Sequence, residues 1–232
     1  DGHHKNRIRN DEEIAKRNIQ YKIDKNYLED STNKGSILDV GCGGGFFLSN
    51  FNQKKWKCFG LEIDPDTAPY AKKNFNIDIH IGTSEKMPFN DIQFDVVCFR
   101  GAFEHLVNPE KTMQEVRRVL KPGGYLYICA LPNVDSYCAK LYKEKWNQFD
   151  AKEHIFIFSI SSLKKLVAQF NFIEKKHSYF YQETPYSNII KDIQKVANDQ
   201  NLIRQGKINE VDVSPPFWEN MLSVLFCKKA LN

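Results

Sequence analysis

The sequence has few of the features that mark secreted, membrane-spanning or zinc-binding proteins. Its 232 residues include six cysteines, none in a C-x-x-C pair, and the cysteines and six histidines show no zinc-like spacing. No apolar run is long enough to span a bilayer, and we expect no signal peptide. We therefore predict reduced thiols, a cytoplasmic location, no membrane span and no metal site.

A strong charge of one sign is also missing. The chain has 33 basic and 29 acidic residues, which gives a net charge of +4. A charge this small neither requires nor excludes a nucleic-acid partner, but the basic pairs are scattered rather than gathered into a groove. We therefore expect a small-molecule partner and no nucleic acid.

Alternating apolar runs and helical patterns dominate the chain. The runs "SILDVG", "WKCFGLEID", "IDIHIG", "FDVVCFR" and "YLYICALPN" predict five strands, and "FIEKKHSYF" and "WENMLSVLFCKK" predict two more. Helical patterns lie between most of them. The alternation predicts an α/β fold with a doubly wound, mostly parallel, seven-stranded Rossmann-like sheet, helices on both faces and a small helical cap.

The pattern predicts one domain over residues 1–232. A helix is expected at 11–30, with Ile14, Ile19, Ile23 and Tyr27 on one side. A ligand-binding core is expected at 35–133, where "GFFLSNF" would open a helix. Segments 134–150 and 182–216 are less regular and are predicted to form a substrate cap or lid.

A glycine-rich turn follows the first predicted strand in "ILDVGCGGGFF". Gly41 and Gly43 match the first two glycines of a dinucleotide fingerprint, but Phe46 stands at the third. The Gly-Lys-Ser/Thr of a triphosphate loop is also missing. The turn thus lacks the phosphate-binding details of both classes.

Two acidic residues indicate another ligand. Asp39, two residues before the turn, would repel a phosphate but suits a positive amino group. Glu62, at the end of the second predicted strand, is placed to accept hydrogen bonds from ribose hydroxyls. Ribose without pyrophosphate, joined to a cationic amino-acid moiety, describes S-adenosylmethionine.

The motifs and their order resemble one family. "ILDVGCGGG" and "GLEID" resemble the first two motifs of class I S-adenosylmethionine-dependent methyltransferases, and "GTSEKMPFNDIQFDVVCFRGAFEHLVNPEKTMQEVRRVLKPGGYLYICALPN" resembles the block that follows. The segment "HIFIFSISSLKKLVAQFNF" resembles small-molecule members with E-H-L after strand four. One departure is Thr83, where many relatives have aspartate beside the adenine amino group.

The resemblance implies S-adenosylmethionine as cofactor, S-adenosylhomocysteine as product and a set of binding residues. In this sequence the implied cofactor contacts are Tyr21, Asp39, Gly41, Cys42, Gly43, Glu62, Ile63, Thr83, Ser84, Glu85, Arg100 and Gly101. Methyl transfer to a small molecule, more readily at a hydroxyl oxygen than at nitrogen, is the implied reaction.

Methylation of a hydroxyl requires removal of a proton, and histidine is the natural base near neutral pH. His105, in "FEHL", is the first candidate for this base and His154, in "KEHIFIFS", the second. Glu104 is expected to be structural.

Aromatic residues in the cap segment are the candidates for acceptor binding. They are Tyr137, Tyr142, Trp146 and Phe149. The expected assembly is a monomer or homodimer.

"SPPF" at 214–217 matches a motif of DNA adenine methyltransferases, but it lies far from strand four, where that motif belongs, and is interpreted as an accidental turn before the last strand. Two other interpretations stay open. A regulatory relative that binds the cofactor without catalysis would show the same glycine turn. Detectable NAD binding would favour the interpretation that the chain is a nicotinamide-dependent oxidoreductase.

Overall fold

A computed structural model describes residues 11–229, with only the backbone of Asp11. Residues 1–10 and 230–232 of the predicted 1–232 domain lie outside the described residues. In the described part of the chain, seven strands form one sheet: β1 (Gly35–Val40), β2 (Trp56–Glu62), β3 (Asp78–Ile81), β4 (Phe94–Arg100), β5 (Leu120–Pro132), β6 (Phe172–Ser178) and β7 (Met221–Lys228).

The sheet has the predicted mostly parallel architecture. Its strand order is β3-β2-β1-β4-β5-β7-β6. The pairs from β3 to β5 are parallel, and β7 runs antiparallel to both of its neighbours. The chain order reverses between β1 and β4, so the crevice at their carboxyl ends is the place where open α/β sheets bind ligands.

Over residues 11–229, six α-helices accompany the sheet: α1 (Asp11–Glu29), α2 (Thr67–Phe75), α3 (Pro109–Val119), α4 (Tyr137–Tyr142), α5 (Ile160–Ala168) and α6 (Ile189–Arg204). Local chemistry defines their ends. The Asn108 side chain accepts a hydrogen bond from the Lys111 amide at the start of α3, and Pro109 occupies its first turn. Ser159 and Ser162 form a capping box at α5.

One apolar cluster packs against each face of the sheet. One contains Met113 and Val116 of α3 together with Leu163 of α5. The other contains Tyr21 and Leu28 of α1. Helices therefore cover both faces, as the sequence predicts. Within residues 11–229, no helix is both long and apolar enough to cross a membrane.

The buried face of α1 differs from the predicted one. Ile14 and Ile19 are 41% and 48% exposed, whereas Tyr21, Asp24 and Leu28 are buried. Asp24 is buried because its carboxylate accepts a hydrogen bond from Arg100 at 2.8 Å. The prediction was wrong because a charged residue lies on the inner face of α1, where the apolar pattern expects an apolar one.

The segment after the glycine turn is not the predicted α-helix. Residues 44–51 form turns and one three-residue 3₁₀ helix, Leu48–Asn50. Phe47, Leu48 and Phe51 are all buried, and Gly43 and Gly45 have left-handed φ angles of +51° and +78°. The spacing of Phe47, Leu48 and Phe51 would fit one helical face, but the left-handed φ angles of the two glycines do not fit an α-helix. The chain therefore follows an irregular path here.

The segment 182–216 contains α6, which the sequence analysis missed. Its buried positions include Asp192 and Asp199, which accept hydrogen bonds from Tyr181 and Tyr142 at 2.7 Å. Because these acidic residues lie on the inner face of α6, they interrupt the helical spacing of its apolar residues, and the sequence pattern does not indicate a helix.

The two predicted cap segments pack against each other. Cys138, Tyr142 and Trp146 share a small apolar core with Val196 and Val211. Residues 134–150 and 182–216 therefore build one unit.

The buried pair Asp24–Arg100 generates a stability prediction. Burial raises the pKa of Asp24, and the attraction of Arg100 does not fully offset that effect. Asp24→Asn leaves the Arg100 guanidinium with no carboxylate partner from α1, so we expect the free energy of unfolding to fall by about 3 kcal/mol. Urea unfolding measures this loss.

The matched control is Asp30→Asn. Asp30 lies at the end of the same helix and pairs with Lys176 at 3.6 Å, but its side chain is 74% exposed. An exposed pair of this kind contributes below about 1 kcal/mol. Equal losses in the two variants would contradict the assigned role of Asp24.

Candidate functional site

The glycine turn after β1 is shaped by crowding on one side and open space on the other. Gly41 has φ +73°, and a Cβ there would lie 2.8 Å from the Cβ of Ala102. A Cβ on Gly43 would meet nothing within 4 Å in the described chain. A ligand can therefore approach the backbone at Gly43, whereas Gly41 allows the turn to pack against the end of β4.

Glu62 connects the end of β2 to this turn. Its Oε2 accepts a hydrogen bond from the Gly43 amide at 2.8 Å, and its Oε1 accepts one from the Ile63 amide at 2.7 Å. A carboxylate has about four acceptor positions. Glu62 therefore holds the turn and keeps acceptor capacity for hydroxyl groups of a ligand.

Asp39 lies buried beneath the turn, with 2% of its surface exposed. Its Oδ1 has no hydrogen-bond partner among the described residues. Burial raises the pKa of Asp39 to about 8; Arg100 opposes the rise and Glu62 adds to it. An unpartnered buried carboxylate is costly, and a cationic ligand group would remove that cost.

A cavity of about 760 Å³ extends from the turn to the inner face of α1. This volume suits a ligand of nucleoside size. Its lining includes four carboxylates and two arginines, and both arginines already have partners: Arg17 bonds Glu13 and Arg100 bonds Asp24. The lining therefore favours a cation over an anion.

Phosphate binding has no support here. Residues 44–51, directly after the glycine turn, contain no α-helix whose N-terminus would face a pyrophosphate. The N-terminus of α2 does reach the cavity, but Asp64 and Asp66 precede it. Phe46, at the third fingerprint position, packs on Tyr70 and Phe75 with ring centroids 5.6 and 5.4 Å apart. The described residues directly after the turn therefore lack both the helix and the third glycine that a dinucleotide-binding site needs.

Most predicted cofactor residues line the cavity: Tyr21, Asp39, Gly41, Cys42, Gly43, Glu62, Arg100 and Gly101. Tyr21 stacks on the Arg100 guanidinium at 4.4 Å, which joins α1 to the end of β4. The Cys42 thiol occupies the space above Gly60, where a Cβ would lie 2.4 Å from its sulfur.

Four predicted cofactor residues lie outside the cavity lining: Ile63, Thr83, Ser84 and Glu85. They lie beside Glu62, because the Gly82 amide donates to the Glu62 carbonyl at 2.9 Å. Ile63 is 70% exposed, and Ser84 bonds Thr112 at 2.8 Å. Their contact with adenine stays a prediction.

The two histidines lie together, although 49 positions separate them in the sequence. The rings of His105 and His154 are 5.0 Å apart. Nδ1 of His105 lies 2.7 Å from the Glu153 carbonyl oxygen, and Nδ1 of His154 lies 3.0 Å from that of Gln148. Glu104 is buried beside them, and burial raises its pKa to about 7.

The predicted acceptor residues divide into two pairs. Tyr137 and Phe149 are exposed. Tyr142 and Trp146 are buried in the cap core, where Tyr142 donates to Asp199 and Trp146 donates to Asn220. This corrects the expectation that all four line the acceptor site, because Tyr142 and Trp146 hold the cap together.

The sequence analysis missed several residues of the cavity. They include Ile14, Arg17, Asn18, Phe46, Phe47 and Tyr70. The α1 residues carry no motif, and only the fold brings that helix over the glycine turn. Phe46 could have been identified as a lining residue, since it replaces the missing glycine.

A family model for a methyltransferase domain matches residues 11–173, which is most of the chain. The chain belongs to the methyltransferase domain family. The expected class I fold and its S-adenosylmethionine cofactor are thereby confirmed at the level of the family.

The chain aligns with only part of the length of its named relatives. The demethylmenaquinone methyltransferase of Chlorobaculum parvum is 37% identical over 94 residues, which cover 40% of the chain and 39% of the relative. The ubiquinone biosynthesis O-methyltransferase of Azoarcus sp. is 29% identical over 101 residues, which cover 41% and 43%. The match thus spans less than half of each named relative.

A solved structure extends the likeness in fold. The S-adenosylmethionine-dependent methyltransferase of Methanosarcina mazei superposes with a TM-score of 0.59 at 19% identity, and the alignment covers 90% of this chain and 98% of that one. At this identity the likeness concerns the fold alone.

The residues of the methyltransferase domain fit the family's cofactor. The unpartnered Oδ1 of Asp39 suits the amino group, the open face of Gly43 admits the methionine moiety, and Glu62 has acceptor positions left for ribose. The acidic lining also suits the positive charge of a sulfonium.

The raised pKa of Asp39 predicts proton-linked binding. In the free protein the carboxyl is mostly protonated at pH 7, whereas an ammonium group beside it favours the ionised form. S-adenosylhomocysteine should therefore release close to one proton on binding at pH 7. Its affinity should rise by up to about tenfold per pH unit from pH 6 to 8 and then level off.

Calorimetric titration in buffers of different ionisation enthalpy counts the released protons. Asp39→Asn should bind more weakly and release fewer protons, which separates Asp39 from the histidines. A wild type that releases no protons would show that Asp39 is already ionised or does not meet the ammonium group.

Proposed function

We propose that this chain transfers a methyl group from S-adenosylmethionine to a hydroxyl oxygen of a small, largely apolar acceptor. The observation that carries the proposal is the position of the two histidines. Gly101 lines the cofactor cavity, and the turn Phe103–His105 begins two residues later. His105 thus follows the cavity-lining Gly101 by four residues, and the His154 ring lies 5.0 Å from the His105 ring.

S-adenosylmethionine supplies an already activated methyl group when it is bound. The chain has to orient the acceptor, exclude water and remove the hydroxyl proton. A backbone carbonyl only accepts hydrogen bonds, so the Nδ1 contacts of His105 and His154 require a proton on Nδ1 of each ring. In the neutral rings Nε2 then has the lone pair, and we assign the proton transfer to Nε2 of His105 or His154.

The surroundings of the histidines support an apolar acceptor. Val107, Ile155 and Phe156 are exposed, and the Ile155 and Phe156 amides donate to the Glu104 carbonyl beside His105. Phe149, the neighbour of Gln148 whose carbonyl contacts His154, adds exposed aromatic surface from the cap. Exposed apolar side chains of this density favour binding of an apolar ring or tail. Contact of Tyr137 with the acceptor stays a prediction.

Two relatives agree with this acceptor class. Their names state methylation of demethylmenaquinone and an O-methylation in ubiquinone biosynthesis. We therefore propose a phenolic, quinone-related acceptor for this chain, and methylation of an amine as the alternative reaction.

The proposal extends to setting and partners. All six cysteines are free, which supports the expected reducing cytoplasm. The acidic cavity lining supports a small molecule rather than nucleic acid as the partner. The expected monomer or homodimer remains a prediction.

The variant His105→Asn tests the assigned base. The asparagine amide can keep the hydrogen bond to the Glu153 carbonyl while Nε2 is lost. We expect transfer of labelled methyl to an alkylated catechol or hydroquinone to slow by about 100-fold, the lower range for loss of a general base. The affinity for S-adenosylhomocysteine should stay within about twofold, because His105 is not in the cavity lining.

His177→Asn is the matched control. His177 is on β6 beside Glu174, and its side chain has the same 38% exposure as His105. It should leave the rate unchanged. Transfer to amines but not to hydroxyls would overturn the oxygen assignment. Tight cofactor binding without transfer to any acceptor would favour a regulatory relative.

A further inference from the structure

Three potential ligand side chains meet where β4 ends. Glu104, His105 and His154 each offer one ligand atom, and these atoms all lie within 4.8 Å of one another. The Ile155 and Phe156 amides donate to the Glu104 carbonyl at 3.0 and 3.1 Å. These bonds fasten the segment of His154 to the turn of His105, so the cluster is built by the fold.

Both histidines have the outer hydrogen bond that is typical of metal ligands. Nδ1 of each ring donates to a backbone carbonyl, of Glu153 for His105 and of Gln148 for His154. This arrangement fixes the tautomer and leaves both Nε2 atoms as donors of an electron pair. Metal-binding histidines almost always have such an outer hydrogen bond.

The third side chain is a buried carboxylate without a full set of partners. Glu104 is 3% exposed, and its Oε2 has no hydrogen-bond partner within the described part of the chain. Its Oε1 lies 3.9 Å from Nε2 of His105. A buried carboxylate oxygen without a donor is unfavourable, and a cation beside the two imidazoles would satisfy it.

We propose that Glu104, His105 and His154 bind one divalent transition-metal ion of the zinc class. Two imidazole nitrogens and one carboxylate oxygen form a ligand set that such ions accept, with a position left open. In a tetrahedral site the ligand atoms would be about 3.3 Å apart, given bonds of about 2.0–2.1 Å. The present separations of up to 4.8 Å must therefore shorten by up to about 1.5 Å when the ion binds.

The metal site adjoins the cofactor cavity. A Cβ on Gly101, which lines that cavity, would lie 3.9 Å from Oε1 of Glu104. The open position can therefore receive the acceptor oxygen beside the cavity. This role rests on the proposed function, whereas metal binding itself does not.

The histidine base assigned above belongs to the metal-free protein, and a bound ion would take over its role. The Nε2 lone pairs would belong to the metal, and the metal would lower the pKa of the coordinated hydroxyl so that its proton leaves to solvent. No oxidant or reductant takes part.

Metal binding is tested on the full chain after dialysis against a chelator. Titration with Zn²⁺ should give one site that involves this cluster. Titration with Co²⁺ should give the visible absorption of nitrogen and oxygen ligands without a thiolate charge-transfer band, which excludes the six cysteines as ligands. His154→Asn and Glu104→Gln should each weaken binding by at least about tenfold, the smallest effect measured for outer-shell residues.

The control variant is His177→Asn. It removes the histidine of a second glutamate–histidine pair, Glu174 and His177, on β6. It should bind the ion like the wild type. Since Glu104 is buried, Glu104→Gln is interpreted only if its thermal unfolding midpoint is retained; His154→Asn, at a half-buried position, provides the independent test. Unchanged affinity in His154→Asn, or thiolate absorption, would overturn the site.

Methyl-transfer assays separate this site from the proposed function. Specific metal binding without methyl transfer would leave the metal site standing and overturn the function. Methyl transfer that survives chelation, together with no metal binding by this cluster, would overturn the metal site and leave the function standing.

Discussion

The hydrogen bond from the Gly43 amide to Glu62 determines how the ligand cavity is built. At 2.8 Å it fixes the glycine turn against the end of β2, and it needs β1 and β2 to be parallel neighbours with their carboxyl ends together. The left-handed φ of Gly43 lets its amide turn toward the carboxylate. The same carboxylate keeps acceptor positions for a ligand, so one residue both shapes the cavity and offers a binding group.

Charge placement explains why the cavity suits a cation although arginines line it. Asp24 of α1 neutralises Arg100, and Tyr21 and Phe47 shield the guanidinium at 4.4 and 5.9 Å. The buried Asp39 carboxyl is left without such a partner on Oδ1 among residues 11–229. The protein therefore keeps a buried polar group without a full set of hydrogen bonds, which is unfavourable in the ligand-free state. A ligand ammonium group can satisfy it, and this contributes to the binding free energy.

Local rules predicted the sheet and the cofactor turn because each strand has its own apolar run and the motifs lie at chain positions that parallel pairing brings together. They failed where polar residues face inward. Asp24 on α1 and Asp192 and Asp199 on α6 interrupt the apolar pattern of the buried faces. Arg100 and Tyr142, the partners of Asp24 and Asp199, are distant in sequence. The meeting of Glu104 with His154 likewise depends on backbone bonds between remote segments. Spacing within the sequence carries no sign of it.

The most direct test of the central claim compares S-adenosylhomocysteine binding by the wild type and by Glu62→Gln, with Asp78→Asn, an exposed acid on the neighbouring strand, as control. Loss of hydrogen bonds to a charged group should cost about 1.5–3 kcal/mol, an affinity loss of more than tenfold. The Asp78→Asn control should bind S-adenosylhomocysteine like the wild type, and NAD binding should stay at background. Equal affinity in wild type and Glu62→Gln would contradict the ribose assignment. Tighter binding of NAD than of S-adenosylhomocysteine would contradict the cofactor itself.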